Sequence, residues 1–182
     1  MHEEATTVLP ALLARFEIDG PILIGHSDGG SIALIYAGAS PARPPRGLVL
    51  LAPHVFVEDC SIESITRMRE MYESTDLRAR LAKHHENVDA AFHGWNDVWL
   101  DPAFRSWNIE AYLPAITCPV LVLQGEDDEY GSARQVEAIA AQVSGPVKTG
   151  ILAECGHSPQ RDQRETVLDR IADFVGRTGR DD

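Results

Sequence analysis

The sequence predicts an α/β fold built on a parallel sheet, and three observations carry that reading. Four short β-rich runs punctuate the 182 residues: PILIG (21–25), GLVLLA (47–52), PVLVLQG (119–125) and PVKTGILA (146–153). The first three are nearly uninterrupted apolar runs, as strands covered on both faces of a parallel sheet must be. Helical patterns alternate with these runs, the arrangement that right-handed crossovers between parallel strands produce.

Taken in order, Val8, Leu9, Leu12, Leu13 and Phe16 form one helical stripe ahead of the first strand run. Pro10 lies inside that stripe and has no N–H to donate, so a kink or a late helix start is expected there. Residues 28–39 are small and apolar, as suits a helix packed closely on its sheet. Val136, Ile139, Ala140 and Val143 make a stripe after the third strand run, and Val167, Leu168, Ile171, Phe174 and Val175 make another near the C-terminus. Between 54 and 117 the alternation stops. That stretch has no strand pattern, carries helical patches such as Ile65, Met68, Met71 and Tyr72, and holds all three tryptophans (Trp95, Trp99, Trp107) with Phe92 and Phe104. A stretch this long without strands reads as a lid over a site or a helical subdomain. Its tryptophans either form its own small core or line a substrate pocket. The chain therefore divides into 1–53, the first part of a core; 54–117, a helical insertion; and 118–182, the remainder of the core.

Composition narrows the function classes. A net charge of −12 disfavours nucleic acid and anionic membranes as partners. No apolar run approaches the roughly 18 residues of a membrane-spanning helix, and the acidic, polar start MHEEATTVLP does not read as a secretion signal. Three scattered cysteines (Cys60, Cys118, Cys155) suit reduced thiols and a cytoplasmic location. His84, His85 and His93 come with no closed ligand set, so neither a metal nor another cofactor is expected. The partner that remains is a small-molecule substrate.

The stretch GHSDGG (25–30) carries the chemistry. Gly25-His26-Ser27-Asp28-Gly29 fits G-x-S-x-G with a strand before it and a helix after it. A serine on so sharp a turn projects its hydroxyl above the sheet edge, and glycines two residues either side remove side chains that would collide with the turn. Gly30 further lets the following helix approach the sheet. His26 points away from its neighbour's hydroxyl on such a turn, so it is expected to support the elbow from beneath. A base must come from elsewhere in the chain, oriented by a third group. Two strand ends supply candidates: the acids Glu126, Asp127, Asp128 and Glu129 after the third run, and Gly156-His157 after the fourth. Both fall at C-terminal strand ends, where open parallel sheets bind ligands. The order is serine, acid, histidine.

GHSDGG, VLQGEDD and CGHSPQRD together, in that order, resemble the α/β-hydrolase superfamily, in particular its esterase-like and meta-cleavage-product hydrolase members. The helical insertion resembles that family's cap. The resemblance implies a partial α/β-hydrolase fold in which Ser27 is the nucleophile and His157 the general base and acid. It implies Asp128 as the acid, three residues after the strand-terminal Gly125, with Asp127 as runner-up and Glu58 or Asp59 if the acid follows the preceding strand. The implied reaction is acyl transfer to water at an ester or carbon–carbon bond of a small apolar carbonyl substrate, with Trp95, Trp99 and Trp107 shaping its pocket. The backbone N–H of Asp28 would donate to the oxyanion, and the Asp28 carboxylate would point away from it, near the helix N-terminus. One departure stands out. The family carries several strands ahead of the elbow, and only residues 1–20 precede the elbow strand here. Those strands bear the second oxyanion donor, so the resemblance implies an N-terminal truncation. It also implies that the strand at 21–25 is an exposed apolar edge open to self-association. The rival expectation is a catalytically incompetent fragment or an interaction module.

Overall fold

The computed structural model describes residues 1–178. Each of the four strand runs becomes a strand: β1 (Ile22–His26), β2 (Gly47–Leu51), β3 (Val120–Gly125) and β4 (Val147–Leu152). All pair in parallel, in the order β1-β2-β3-β4. The register sets His26 beside Leu51, Leu51 beside Leu123 and Gly125 beside Leu152, so the C-terminal ends of β3 and β4 reach two residues beyond those of β1 and β2. The ladder continues one residue past them: Ser27 N–H donates to the Leu51 carbonyl, Ala52 N–H to Leu123 and Glu126 N–H to Leu152.

Every residue of β2 and β3 is buried, as their unbroken apolar runs require. β1 departs from that expectation. It is an edge strand, its Ile22 and Leu23 are half-buried, and Ile24 is 56% exposed. This is the open apolar edge anticipated from the short segment ahead of the elbow.

Ahead of β1, a π-helical turn (Glu4–Val8) leads into α1 (Leu9–Arg15). Pro10 sits in the first turn of α1, directly after the π-helical turn. The helix does not start late: its backbone is helical from His2 and widens to the π-helical turn just ahead of Pro10. Its stripe is not buried as a whole: Leu13 is inside, but Val8, Leu12 and Phe16 are exposed. The π-helical turn rests on α2 (Asp28–Gly38). Beyond β1 no further strand is present among the described residues, so the outer half of the stripe has nothing to cover it.

α2 packs on β1 and β2, and α6 (Ala133–Gln142) packs on β3 and β4. The helix α8 (Arg164–Thr178) covers one face of the sheet through Val167 and Phe174, which cluster with Val49, Leu51, Leu121, Leu123, Leu152 and Cys155. Leu48, Leu50, Val120 and Val122 alternate to the other face. The short α7 (Pro159–Asp162) precedes α8. In α8, Leu168 and Val175 are exposed although the pattern groups them with the core residues. Each follows a core residue by one position and is therefore turned about 100° away around the helix. In α6, Val136 and Ile139 are buried, as is Val143 just past its end, while Ala140 is exposed.

Residues 57–107 form a second compact unit. It is narrower than the strand-free stretch 54–117. His54–Phe56 and the residues from Asn108 onward belong to the first unit, where Phe56 bridges Asn108 and Ile109, Leu113 and Ile116 are buried. The second unit contains α3 (Asp59–Ser74), α4 (Leu77–Leu81) and α5 (Val88–Leu100), then a 3-10 turn over Pro102–Ser106. Tyr72, Leu77, Val88 and Phe92 make its core, with the Tyr72 and Phe92 rings stacked at 3.8 Å. The buried Asn96 ties α5 to α3 by donating to the Ile65 carbonyl (3.0 Å) and accepting from Arg69 Nε (2.6 Å). Among the described residues no helix is long and apolar enough to cross a membrane.

Candidate active site

Ser27 occupies the single residue between β1 and α2, with φ 54° and ψ −124°. A non-glycine residue in such a conformation costs about 1–3 kcal/mol and persists only where the surroundings over-determine it. Here they do. Ser27 N–H is bonded to Leu51, and its carbonyl accepts from the N–H groups of Gly30 (2.8 Å) and Ser31 (3.2 Å). Gly25 is required by space: a Cβ there would lie 2.3 Å from the Gly29 carbonyl oxygen and 2.6 Å from Gly30 N. Gly29 corrects the expectation of symmetrical crowding, because a Cβ there meets nothing within 4 Å. It already lies on the first turn of α2 and faces open space. At Gly30 a Cβ would come within 3.0 Å of Pro53, so this glycine does allow the helix its close approach.

His157 lies on the loop after β4. Its Nε2 is 2.9 Å from Ser27 Oγ, and its Nδ1 is 2.9 and 3.0 Å from the two carboxylate oxygens of Asp128. A carboxylate can only accept, so Nδ1 carries the proton and Nε2 of the neutral ring accepts from the serine hydroxyl. The Asp128 side chain is fully buried. Besides His157 it accepts from Gln124 Nε2 (2.6 Å) and from the N–H of Tyr130 (2.9 Å). Of the neighbouring acids, Glu126, Asp127 and Glu129 are exposed. Asp127 uses its backbone N–H on the Cys155 carbonyl (2.9 Å), which holds the acid loop against the histidine loop. Gly125 permits that closeness, since a Cβ there would lie 2.1 Å from the Cys155 oxygen. Glu58 and Asp59 belong to the second unit, Glu58 buried at the start of α3 and Asp59 paired with Arg105.

His26 reaches the histidine loop. Its Nε2 donates to the carbonyl of His157 itself (2.6 Å), and the two rings lie 5.1 Å apart. Burial holds the His26 imidazole below its ordinary range, so it remains neutral near pH 7. Asp28 is the first residue of α2, where the helix dipole favours an acid.

Three neighbours escaped the sequence reading. Gln124 donates to Asp128. His54, buried just past β2, has its Nε2 3.1 Å from the Tyr130 carbonyl and its ring 5.6 Å from that of His157. The Tyr130 ring lies 4.7 Å from the same imidazole. The available signals were slight: one polar residue near the end of an apolar strand, and one histidine three residues beyond the end of another strand.

All three tryptophans lie in the second unit. Trp99 is 2% exposed and packs with Phe104 and Trp107. Trp107 is half-buried and stacks on Phe104. Trp95 is half-buried and lines an apolar cleft of about 270 Å³ with Met68, Leu77 and Phe92.

Comparison with known proteins agrees with this architecture. No curated protein matches the sequence. Solved structures do match the fold. An esterase from Exiguobacterium antarcticum aligns with a TM-score of 0.67 at 18% identity, over 93% of this chain and 71% of its own. A meta-cleavage product hydrolase from Pseudomonas fluorescens aligns with a TM-score of 0.71 at 15% identity, over 94% and 70%. A proline iminopeptidase from Mycobacterium smegmatis aligns with a TM-score of 0.70 at 16% identity, over 94% and 70%. The profile of the alpha/beta hydrolase family matches residues 2–170, almost the whole chain. With the parallel sheet and the strand–serine–helix turn already established, that match assigns the chain to the alpha/beta hydrolase family.

Proposed function

We propose that this protein is a serine hydrolase that cleaves an ester or carbon–carbon bond of a small apolar carbonyl substrate. The observation that carries the reading is the continuous hydrogen-bonded line from Ser27 Oγ through His157 to Asp128, with both links at 2.9 Å. His157 Nε2 takes the hydroxyl proton as Ser27 Oγ attacks the carbonyl carbon. The same proton then goes to the leaving group. Asp128 holds the ring in the tautomer that leaves Nε2 free to accept, and stabilises the imidazolium that forms. The Asp28 N–H, at the head of α2, supports the oxyanion. Water repeats the sequence on the acyl-enzyme and frees the serine. Trp95 lines an apolar cleft within the second unit, a surface that suits an apolar ligand.

The test is covalent labelling. A fluorophosphonate probe is expected to form one stable adduct, and tandem mass spectrometry is expected to find it on Ser27. Folded protein that takes up no probe, or carries it elsewhere, refutes the reading.

A second proposal rests on the edge of the sheet. Ile24 is 56% exposed on β1 and Phe16 is 66% exposed on the segment before it. An apolar edge strand of this kind pairs with another chain, and the occupant proposed is a second copy of this protein. Sedimentation at micromolar concentration is expected to give a dimer or larger species, and Ile24→Lys to return the monomer. A monomeric wild type overturns this proposal.

A further inference from the structure

We infer that Gln124 is a positioning residue, whose buried side-chain amide fixes Asp128 for its partnership with His157; the inference rests on the serine-hydrolase reading above. Gln124 is 1% exposed at the end of β3, and its Nε2 lies 2.6 Å from Asp128 Oδ2 and 2.9 Å from the Gly131 carbonyl. Both neighbours are acceptors, so the nitrogen must face them and both amide hydrogens are committed. They go to the two ends of one turn, residues 128–131. His54 binds the middle of the same turn at the Tyr130 carbonyl. The turn, and the carboxylate on it, are thereby held with both oxygens facing His157 Nδ1.

The other half of the amide is the second observation. Gln124 Oε1 is buried and has no hydrogen-bond partner. An unsatisfied buried acceptor is destabilising, and native structures keep few of them. The preceding strand residues, Val120–Leu123, are apolar and fully buried without this cost. A residue selected only to fill the space at 124 would be apolar too. A glutamine that leaves one end unmade is explained by what its other end holds.

The test uses Gln124→Met, which keeps the side chain's length and removes the donor. Fluorophosphonate labelling of Ser27 is expected to slow by about ten- to a hundredfold, the worth of one hydrogen bond to a charged group. The melting temperature is expected to fall by no more than a few degrees, because the orphaned acceptor is gone while Asp128 Oδ2 and the Gly131 carbonyl each lose a donor. The downfield proton resonance of His157 Nδ1–H is expected to move upfield or broaden. Gln124→Glu keeps the shape but sets a second carboxyl against Asp128, and it can donate there only while protonated. Its labelling rate relative to wild type is therefore expected to fall as pH rises. Wild-type labelling by Gln124→Met, with an unmoved Nδ1 resonance, overturns the inference. A loss of labelling with an unmoved Nδ1 resonance also overturns it, since a packing role would do the same. Absence of labelling in the wild type refutes the serine reading separately, and the Nδ1 resonance still decides the role of Gln124.

Discussion

Replacing Asp128 with asparagine is expected to slow fluorophosphonate labelling of Ser27 by about 10⁴-fold while the protein remains folded. The reason is the proton on His157. In the native site both Asp128 oxygens accept, so His157 Nδ1 carries hydrogen and Nε2 is an acceptor 2.9 Å from the serine oxygen. Asparagine offers one oxygen and one NH₂. The N–H of Tyr130 and the amide of Gln124 both demand acceptors, one on each carboxylate oxygen. Whichever way the asparagine turns, one of these donors faces another donor. With the NH₂ toward Nδ1, the imidazole proton moves to Nε2, and the ring can no longer take the serine proton. The mismatched donor costs about 1–3 kcal/mol in so buried a position, so the melting temperature should fall by several degrees without loss of the fold. Labelling kinetics and thermal denaturation measured together check both halves. A variant that labels within tenfold of wild type would show that Asp128 is not the acid, and the same experiment on Asp127→Asn would follow.

That Asp128 and not Asp127 meets His157 was legible only through the family resemblance, which sets the acid three residues past the strand-terminal Gly125. The structure supplies the cause. Asp127 commits its backbone N–H to Cys155, and this contact turns its own side chain to solvent and the next one inward. No local pattern encodes such a contact, because Cys155 lies on another strand end. Gln124 and His54 were hidden for the same reason: each acts on the turn at 128–131, and His54 reaches it from a different strand. The strands themselves were readable because burial on both faces leaves an unbroken apolar run, as in β2 and β3. The identical signature at β1 could not by itself tell an edge strand from a central one, and the exposed edge was expected instead from the short segment ahead of it. The stripes of α1 and α8 were read too wide for a related reason. Periodicity says which residues share a side of a helix, but the width of the buried strip depends on what lies opposite. Around α8 that is one sheet face, and it covers Val167 and Phe174 but not Leu168 and Val175.

The two glycines of the G-x-S-x-G pattern are expected to behave oppositely when each is changed to alanine. Gly25→Ala places a methyl group 2.3 Å from the Gly29 oxygen, 2.5 Å from its carbonyl carbon and 2.6 Å from Gly30 N. All three are backbone atoms of the first turn of α2, so no side chain can swing aside. Relief requires moving the helix start away from β1, and that motion carries Ser27 with it. Its φ of 54° depends on the bonds to Leu51, Gly30 and Ser31 that hold the turn closed. Once those loosen, the strain of about 1–3 kcal/mol stored at Ser27 drives the residue toward an ordinary conformation, and Oγ leaves the reach of His157. Labelling of Ser27 should therefore fall below detection, with a marked loss of thermal stability. Gly29→Ala meets no atom within 4 Å and lies on a helix, where alanine is favoured over glycine by roughly 1 kcal/mol. Its labelling rate should stay within a fewfold of wild type and its melting temperature should rise slightly. Equal damage from both substitutions would mean that the elbow needs small residues on both sides, as the motif alone suggests; a difference confined to Gly25 would place the whole steric demand on the side where helix and strand meet.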